Sequence, residues 1–280
     1  MSLLKMKFTK KKSLRLMKIV TRSLAILIGI TSCISYPAMA MEEKYYSSLN
    51  FTELQEKDYN FKKEAIYRVA TEEKKISLTF DVNWADEEQL YKILDILDKH
   101  NVKATFFIMG RWIVYPDNEN VDKLKEIHKR GHEIGNHSYS HADFKNINEQ
   151  KMIKEIKDAE KIIEDTIGVK TELFRFPSGH YNENGVRVAN SLGYRPIQWD
   201  VDSIDWKQLG LDREYNRVIK NVKPGSILLF HNNGKYTPEN LERLIPEIQS
   251  KGYEFVTVDQ LLYKDGFYID SEGVQRLKKE

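Results

Sequence analysis

One cysteine in 280 residues, Cys33, leaves no material for a disulfide framework or a cysteine-ligated zinc finger. Fourteen glycines and seven prolines are too few for a collagenous or linker-dominated chain, and 11% aromatic residues is not the composition of a disordered one. No apolar run reaches the roughly 18 residues of a membrane-spanning helix. Acid is missing from residues 1–40, which hold eight of the 44 lysines and arginines, so residues 41–280 carry 36 bases against 42 acids, a net charge of −6. A mildly acidic body carries no electrostatic footprint for nucleic acid, and none is expected as a partner.

The acid-free start has an order of its own. A basic head runs into a short apolar stretch over 24–34, then Pro37 and the small-residue triplet Ala38-Met39-Ala40. These are the parts of a secretory signal peptide over 1–40 with cleavage after Ala40, so a secreted or cell-surface protein is expected. Ile30-Thr31-Ser32-Cys33 is similar to a lipobox, which makes a lipidated Cys33, or an uncleaved signal, the alternative and the one expected contact with a membrane.

Residues 41–74, rich in Lys, Glu and Tyr, read as a polar, partly helical lead-in, and 266–280 as a C-terminal tail. Between them, over 75–265, short apolar runs alternate with amphipathic stretches in the pattern of β/α units. Strands are expected at 76–80, 104–109, 133–136, 173–176, 195–199, 227–230 and 254–258. Helices are expected from Leu90 to Leu97 after a cap at Asp86, and at 121–129, 148–167, 185–192, 213–221 and 238–250. The fold class is therefore α/β, and about seven parallel strands with intervening helices predict a distorted, incomplete (β/α) barrel. In such a barrel, chemistry sits at the C-terminal ends of the strands.

The polar residues fall there. Asp81 follows the first apolar run and can act as a base for water or as a helix cap. His137 and His141, four apart, share a face if their segment is helical, which suits two ligands of one divalent metal, or they are a surface pair at a turn. Arg175 reads as a structural ion-pair partner for Asp205 or Asp202, and His231 is either a packed histidine or an acid catalyst.

Taken in order, Thr79-Phe80-Asp81, His137-x-x-x-His141, Arg175-Phe176-Pro177-Ser178-Gly179, Asp202-x-x-Asp205-Trp206 and Leu229-x-His231 resemble the polysaccharide deacetylases, the NodB-type carbohydrate esterases of family four. The resemblance covers about 75–265. It implies the NodB homology fold and metal-assisted removal of acetyl groups from a glycan, with cell-wall peptidoglycan or a chitin-like polymer as substrate; a monomer is expected. It matches Asp81 to the catalytic base, His231 to the acid, Arg175 to the group orienting the base and Asp205 to the acid tuning the histidine. It matches Trp206, Leu229, Pro177 and Gly179 to substrate binding, and His137 and His141 to metal ligands, zinc first.

One position departs from the family pattern. Where a second aspartate supplies the third metal ligand, this chain has Val82, followed by Asn83. Valine cannot bind a metal, so the Asn83 amide oxygen or water would complete the shell, with lower occupancy. Alternatively the metal is lost and Asp81 acts without it, and a catalytically silent carbohydrate-binding barrel is the second reading. A glycosidase using two of Asp200, Asp202 and Asp205 is a third, and it leaves the histidines unexplained.

Overall fold

The structure is a computed structural model, described over residues 65–85, 87–115 and 120–278. The chain divides into two units, Met1–Glu56 and Lys57–Glu280, and all the described residues belong to the second. The expected signal peptide, Cys33, most of the lead-in and the Asp86 cap lie outside the described residues.

Eleven strands and eight helices follow one another over the described residues. The strands are β1 (Arg68–Val69), β2 (Lys75–Val82), β3 (Thr105–Ile108), β4 (Glu133–Asn136), β5 (Leu173–Phe174), β6 (Arg195–Pro196), β7 (Val201–Asp202), β8 (Ile227–His231), β9 (Glu254–Phe255), β10 (Phe267–Ile269) and β11 (Val274–Leu277). The helices are α1 (Leu90–Lys99), α2 (Gly110–Val114), α3 (Asn120–Lys129), α4 (Glu149–Ile167), α5 (Glu183–Ser191), α6 (Leu211–Asn221), α7 (Thr237–Ser250) and α8 (Val258–Leu261). The barrel sheet runs β6-β5-β4-β3-β2-β8-β7, every neighbouring pair parallel, with β9 adding to the start of β2. This is the expected incomplete barrel.

Side-chain alternation along β2 decides what faces the interior. Ile76, Leu78, Phe80 and Val82 join the apolar cluster made with the helices, which includes Leu90, Ile93, Leu94 and Leu97 of α1. Ser77, Thr79 and Asp81 take the opposite face, inside the barrel, because strand side chains alternate with a period of two. On β8, Leu228 and Phe230 face the helices, while Leu229 and His231 share the register rows of Thr79 and Asp81. A strand reading as an apolar run thus delivers a carboxylate and an imidazole to the same interior.

The seam of the barrel falls between β6 and β7. Residues expected in a polar lead-in help to fill it: Ile66 bridges Ile197, its N–H bonds Pro196 O at 2.8 Å and its C=O accepts from Gln198 N at 2.7 Å. Ala65, Ile66 and Val69 are buried. The Val69 N–H reaches Gly225 O at 2.9 Å, and Gly225, at φ +79°, has no room for a Cβ, which would lie 1.8 Å from Val69 O. β1 continues into a small sheet with the hairpin β10–β11, which occupies the expected tail. Both segments are short, and the pairing of β1 with β11 joins opposite ends of the described chain.

Other differences are short. The strand expected to reach residue 258 stops at Phe255, because Thr257 closes a capping box with Gln260 and starts α8. β7 and α2 were not expected. α4 begins where expected, with Asn148 Oδ1 accepting from Lys151 N and Gly168 ending the helix at φ +70°. No helix among the described residues is long and apolar enough to cross a membrane.

Candidate active site

Asp81, at the end of β2, is 3% exposed, and its two oxygens have different surroundings. Arg175 Nη1 donates to Oδ1 at 2.9 Å, and His137 Nε2 lies 3.4 Å from Oδ2. Burial alone would push the Asp81 carboxyl up. The surrounding positive charge, from His137 when protonated and from the fixed Arg175 guanidinium, outweighs it and holds the carboxyl below its ordinary value.

Arg175 is fully buried and fixed from several directions. Nη1 also donates to Thr79 Oγ1 at 2.7 Å, Nη2 donates to Gln198 O at 3.0 Å, and the guanidinium sits 4.0 Å from the centre of the Phe107 ring. Thr79 Oγ1 donates its own hydrogen bond to Leu228 O at 2.6 Å, which leaves its lone pairs for the arginine.

The two imidazoles of the expected metal pair do come together, but not on a helix. Their segment is a loop with left-handed backbone at Ser138 (φ +66°) and His141 (φ +60°), and the rings meet edge to face at 5.1 Å. The loop is pinned by groups that motif spacing does not reveal. Asn136 Oδ1 accepts from Ser138 N at 2.9 Å, and the buried Glu155 of α4 takes both Ser140 N and Ser140 Oγ at 2.7 Å. Glu155 could have been found from the sequence as the acid interrupting the apolar stripe of α4.

His137 Nδ1 lies 2.9 Å from Arg175 O, and since a carbonyl only accepts, Nδ1 carries the proton and Nε2 the lone pair. That Nε2 is buried without a hydrogen-bond partner. Burial pushes His137 down to about 4, and burial also lowers His141, so both rings are neutral at pH 7, the form a metal requires. The orphaned nitrogen, its tautomer and the adjacent ring fit a divalent cation at two positions. Val82 offers nothing to a third: it is fully buried within the apolar cluster. Among the described residues no group of three or more His, Cys, Asp or Glu is arranged to hold a metal.

His231 lies directly across from Asp81 in the register of β2 and β8. Its Nδ1 is 2.7 Å from Asp205 Oδ1, while Asp205 Oδ2 accepts from His231 N at 2.8 Å and from Thr237 Oγ1 at 2.7 Å. Burial would lower the His231 pKa, but the Asp205 carboxylate, helped by Asp81 and Asp202, raises it. The imidazolium is therefore favoured, with Nε2 as its second donor.

Leu229 is buried on the inner face beside Thr79. Pro177 and Gly179 form the turn after β5, where a Cβ on Gly179 would come within 3.0 Å of Trp199. Trp206 follows Asp205 on a single turn and is 55% exposed. Asn83 has both backbone groups taken by the Asn232 carboxamide, at 3.1 and 2.9 Å. Asn232 is itself fully buried and ties the end of β8 to the loop after β2, a role the sequence reading missed. Asp200 accepts from Ile227 N at the start of β8, the end of the strand away from His231, so it makes no carboxylate pair with Asp205 at the mouth.

The sequence profile of the polysaccharide deacetylase family matches residues 68–197. The chain is 37% identical over 199 residues to the uncharacterized protein YlxY of Bacillus subtilis, an alignment covering 71% of this chain and 60% of YlxY. It is 37% identical over 194 residues to a peptidoglycan-N-acetylglucosamine deacetylase of Bacillus cereus, covering 66% of this chain and 67% of that one. A crystal structure of a Bacillus anthracis protein called a CE4 family pseudoenzyme matches with a TM-score of 0.67 at 35% identity, over 72% of this chain and 70% of that one. A mutant of that protein with restored enzymatic activity matches with the same score and identity.

Proposed function

The chain belongs to the polysaccharide deacetylase family, and from that premise we propose that it is an exported hydrolase removing acetyl groups from a cell-wall glycan such as peptidoglycan. The observation that carries the reading is the meeting of a carboxylate held low by a buried arginine with a histidine held protonated by a second carboxylate, on adjacent strands. A base and an acid with opposed pKa shifts at one mouth are what hydrolysis of an amide needs.

With Oδ1 of Asp81 bound to Arg175, Oδ2 is the oxygen left to take a proton from water. The water oxygen bonds to the acetyl carbonyl carbon as Asp81 accepts its proton. His231 then gives its Nε2 proton to the departing sugar nitrogen, the C–N bond breaks, and acetate and a free amine result. Asp205 holds Nδ1–H and keeps the ring charged until that transfer. Leu229 contacts the acetyl methyl, Trp206 walls the groove, and the turn at Pro177 and Gly179 borders the bound sugar. A divalent metal, zinc first, held by His137 and His141 with water in place of a third side chain, would supply carbonyl polarisation and a more acidic water.

Acetate release from purified wall glycan by the zinc-supplemented protein tests the proposal. Loss of release in Asp81→Asn, His137→Ala and His231→Ala supports it, and equal release in all three rejects the assigned roles. The second reading, a silent glycan-binding barrel, is favoured by one observation: the position of the missing ligand, Val82, is built into the apolar core. It requires saturable glycan binding with no acetate at any metal concentration.

A further inference from the structure

The loop after β2 and the short helix α2 after β3 reach the same mouth, and between them stand three side chains that the deacetylation chemistry does not use. The Arg111 guanidinium lies 5.6 Å from the Trp84 ring and 5.4 Å from the Tyr115 ring, and the two rings meet edge to face at 6.1 Å. Trp84 is 41% and Tyr115 51% exposed. Two large aromatics held at the surface around one cation leave apolar area uncovered, the signature of a surface that a ligand completes.

The backbone under these side chains is fixed. Asn233 Nδ2 donates to Trp84 O at 3.3 Å, and Asn120 Nδ2 donates to Trp112 O at 2.7 Å and to Tyr115 O at 3.4 Å. Arg111 N donates to Tyr139 O at 2.8 Å and Gly110 N to Ser138 O at 2.9 Å, so the cluster is tied directly to the loop carrying His137 and His141. No carboxylate among the described residues pairs with the Arg111 guanidinium, whose contacts are the two rings. A guanidinium already ordered between aromatic rings loses little freedom when its planar fork takes a carboxylate. Exposed indole and phenol rings suit the C–H faces of a pyranose, one end apolar and the other wet.

We propose that Trp84, Arg111 and Tyr115 form a subsite on the β3 side of the mouth for a carboxylate-bearing sugar unit of the glycan. The inference rests on the deacetylase reading and gives it a direction: the preferred polymer is anionic, and the unit at this subsite carries its carboxylate on a lactyl ether or an attached peptide.

Binding to the full chain, followed by calorimetry, is compared for three oligosaccharides of equal length. One is neutral chitotetraose, one an N-acetylglucosamine–N-acetylmuramic acid tetrasaccharide with free lactyl carboxylates, and one the same tetrasaccharide with its lactyl groups amide-linked to stem peptides. At least one anionic glycan is expected to bind about tenfold tighter than chitotetraose, the effect of one charge-assisted pairing. Preference for the peptide-free glycan assigns the lactyl carboxylate, and preference for the peptide-bearing glycan alone assigns the peptide carboxylate. Arg111→Gln is expected to erase the preference while chitotetraose binding stays within about twofold, Arg111→Lys to keep part of it, and Trp84→Ala to weaken all three ligands. Equal affinity for neutral and anionic glycans in the wild type, or a preference that survives in Arg111→Gln, overturns the inference. Absence of acetate release with the Arg111-dependent preference intact supports the subsite and rejects only the deacetylase reading.

Discussion

Replacing Arg175 with methionine tests whether the buried ion pair organises the site. Methionine keeps an apolar chain against Phe107 but removes the donors to Asp81 Oδ1, Thr79 Oγ1 and Gln198 O. Asp81 then remains 3% exposed with its fixed counter-charge gone. Breaking a buried pair from one side costs about 3–5 kcal/mol, a large share of a domain stability of roughly 5–15 kcal/mol. Asp81→Asn strands the guanidinium instead and is expected to cost a similar amount, whereas the double variant should fall short of the sum by about 2–3 kcal/mol. The penalty in Arg175→Met should also shrink on acidification. Loss of the guanidinium raises the folded pKa of Asp81, so the stability its ionisation contributes above the unfolded pKa shrinks, while below that pKa the carboxyl is protonated in both states and the penalty is smaller. In the wild type the folded pKa is lowered, so the contribution is present above the unfolded value and lost as pH falls. Urea denaturation midpoints at constant m, with chelator present, measure all of this. Two single variants costing less than about 1 kcal/mol each, and adding in the double, would refute the reasoning.

Asp205→Asn removes the carboxylate that raises His231, so the alkaline limb of the kcat/KM profile should move to lower pH, with kcat falling further than KM changes. Val82→Asp should cost the metal-free protein about 2–4 kcal/mol by placing a carboxylate among Phe80, Ile108 and their neighbours, read from urea denaturation. A variant as stable as wild type would contradict this placement. Glu214 of α6 is buried, has one carboxyl oxygen without a partner, and is pushed up to about 7 by burial and by the Asp205 charge. Because that pKa is raised, its ionisation costs stability as pH rises through it. Glu214→Gln should therefore stabilise the protein by about 1–2 kcal/mol at pH 8 and change little near pH 5, read from thermal unfolding at the two pH values.

The parts of the fold legible in the sequence were those whose signal is local. Glu133–Asn136 was bounded correctly from a short strand pattern, and α4 from its apolar stripe, Asn148 and the glycine after it. The seam filled by Ile66 and the pairing of β1 with β11 were not legible, because they join chain segments far apart in sequence. The site followed the same rule. Motif order identified Asp81, Arg175 and the histidines, and the structure adds the alternation along β2 and β8 that turns Asp81 and His231 to one interior. Helical spacing gave the wrong reason for pairing His137 with His141: a left-handed loop, held by Asn136 and Glu155, brings the rings together. The roles of Thr79 and Asn232 were not legible, because what a buried hydroxyl or amide does is set by its partners.

Whether this mouth performs hydrolysis or only holds glycan is decided by counting acetate released per protein molecule from N-acetylated peptidoglycan strands, with zinc supplied and the product examined for free amine by mass spectrometry. Many turnovers are expected of the wild type and none of Asp81→Asn at equal glycan binding. Saturable binding by the wild type with no amine formed, at any zinc concentration, would contradict the deacetylase reading.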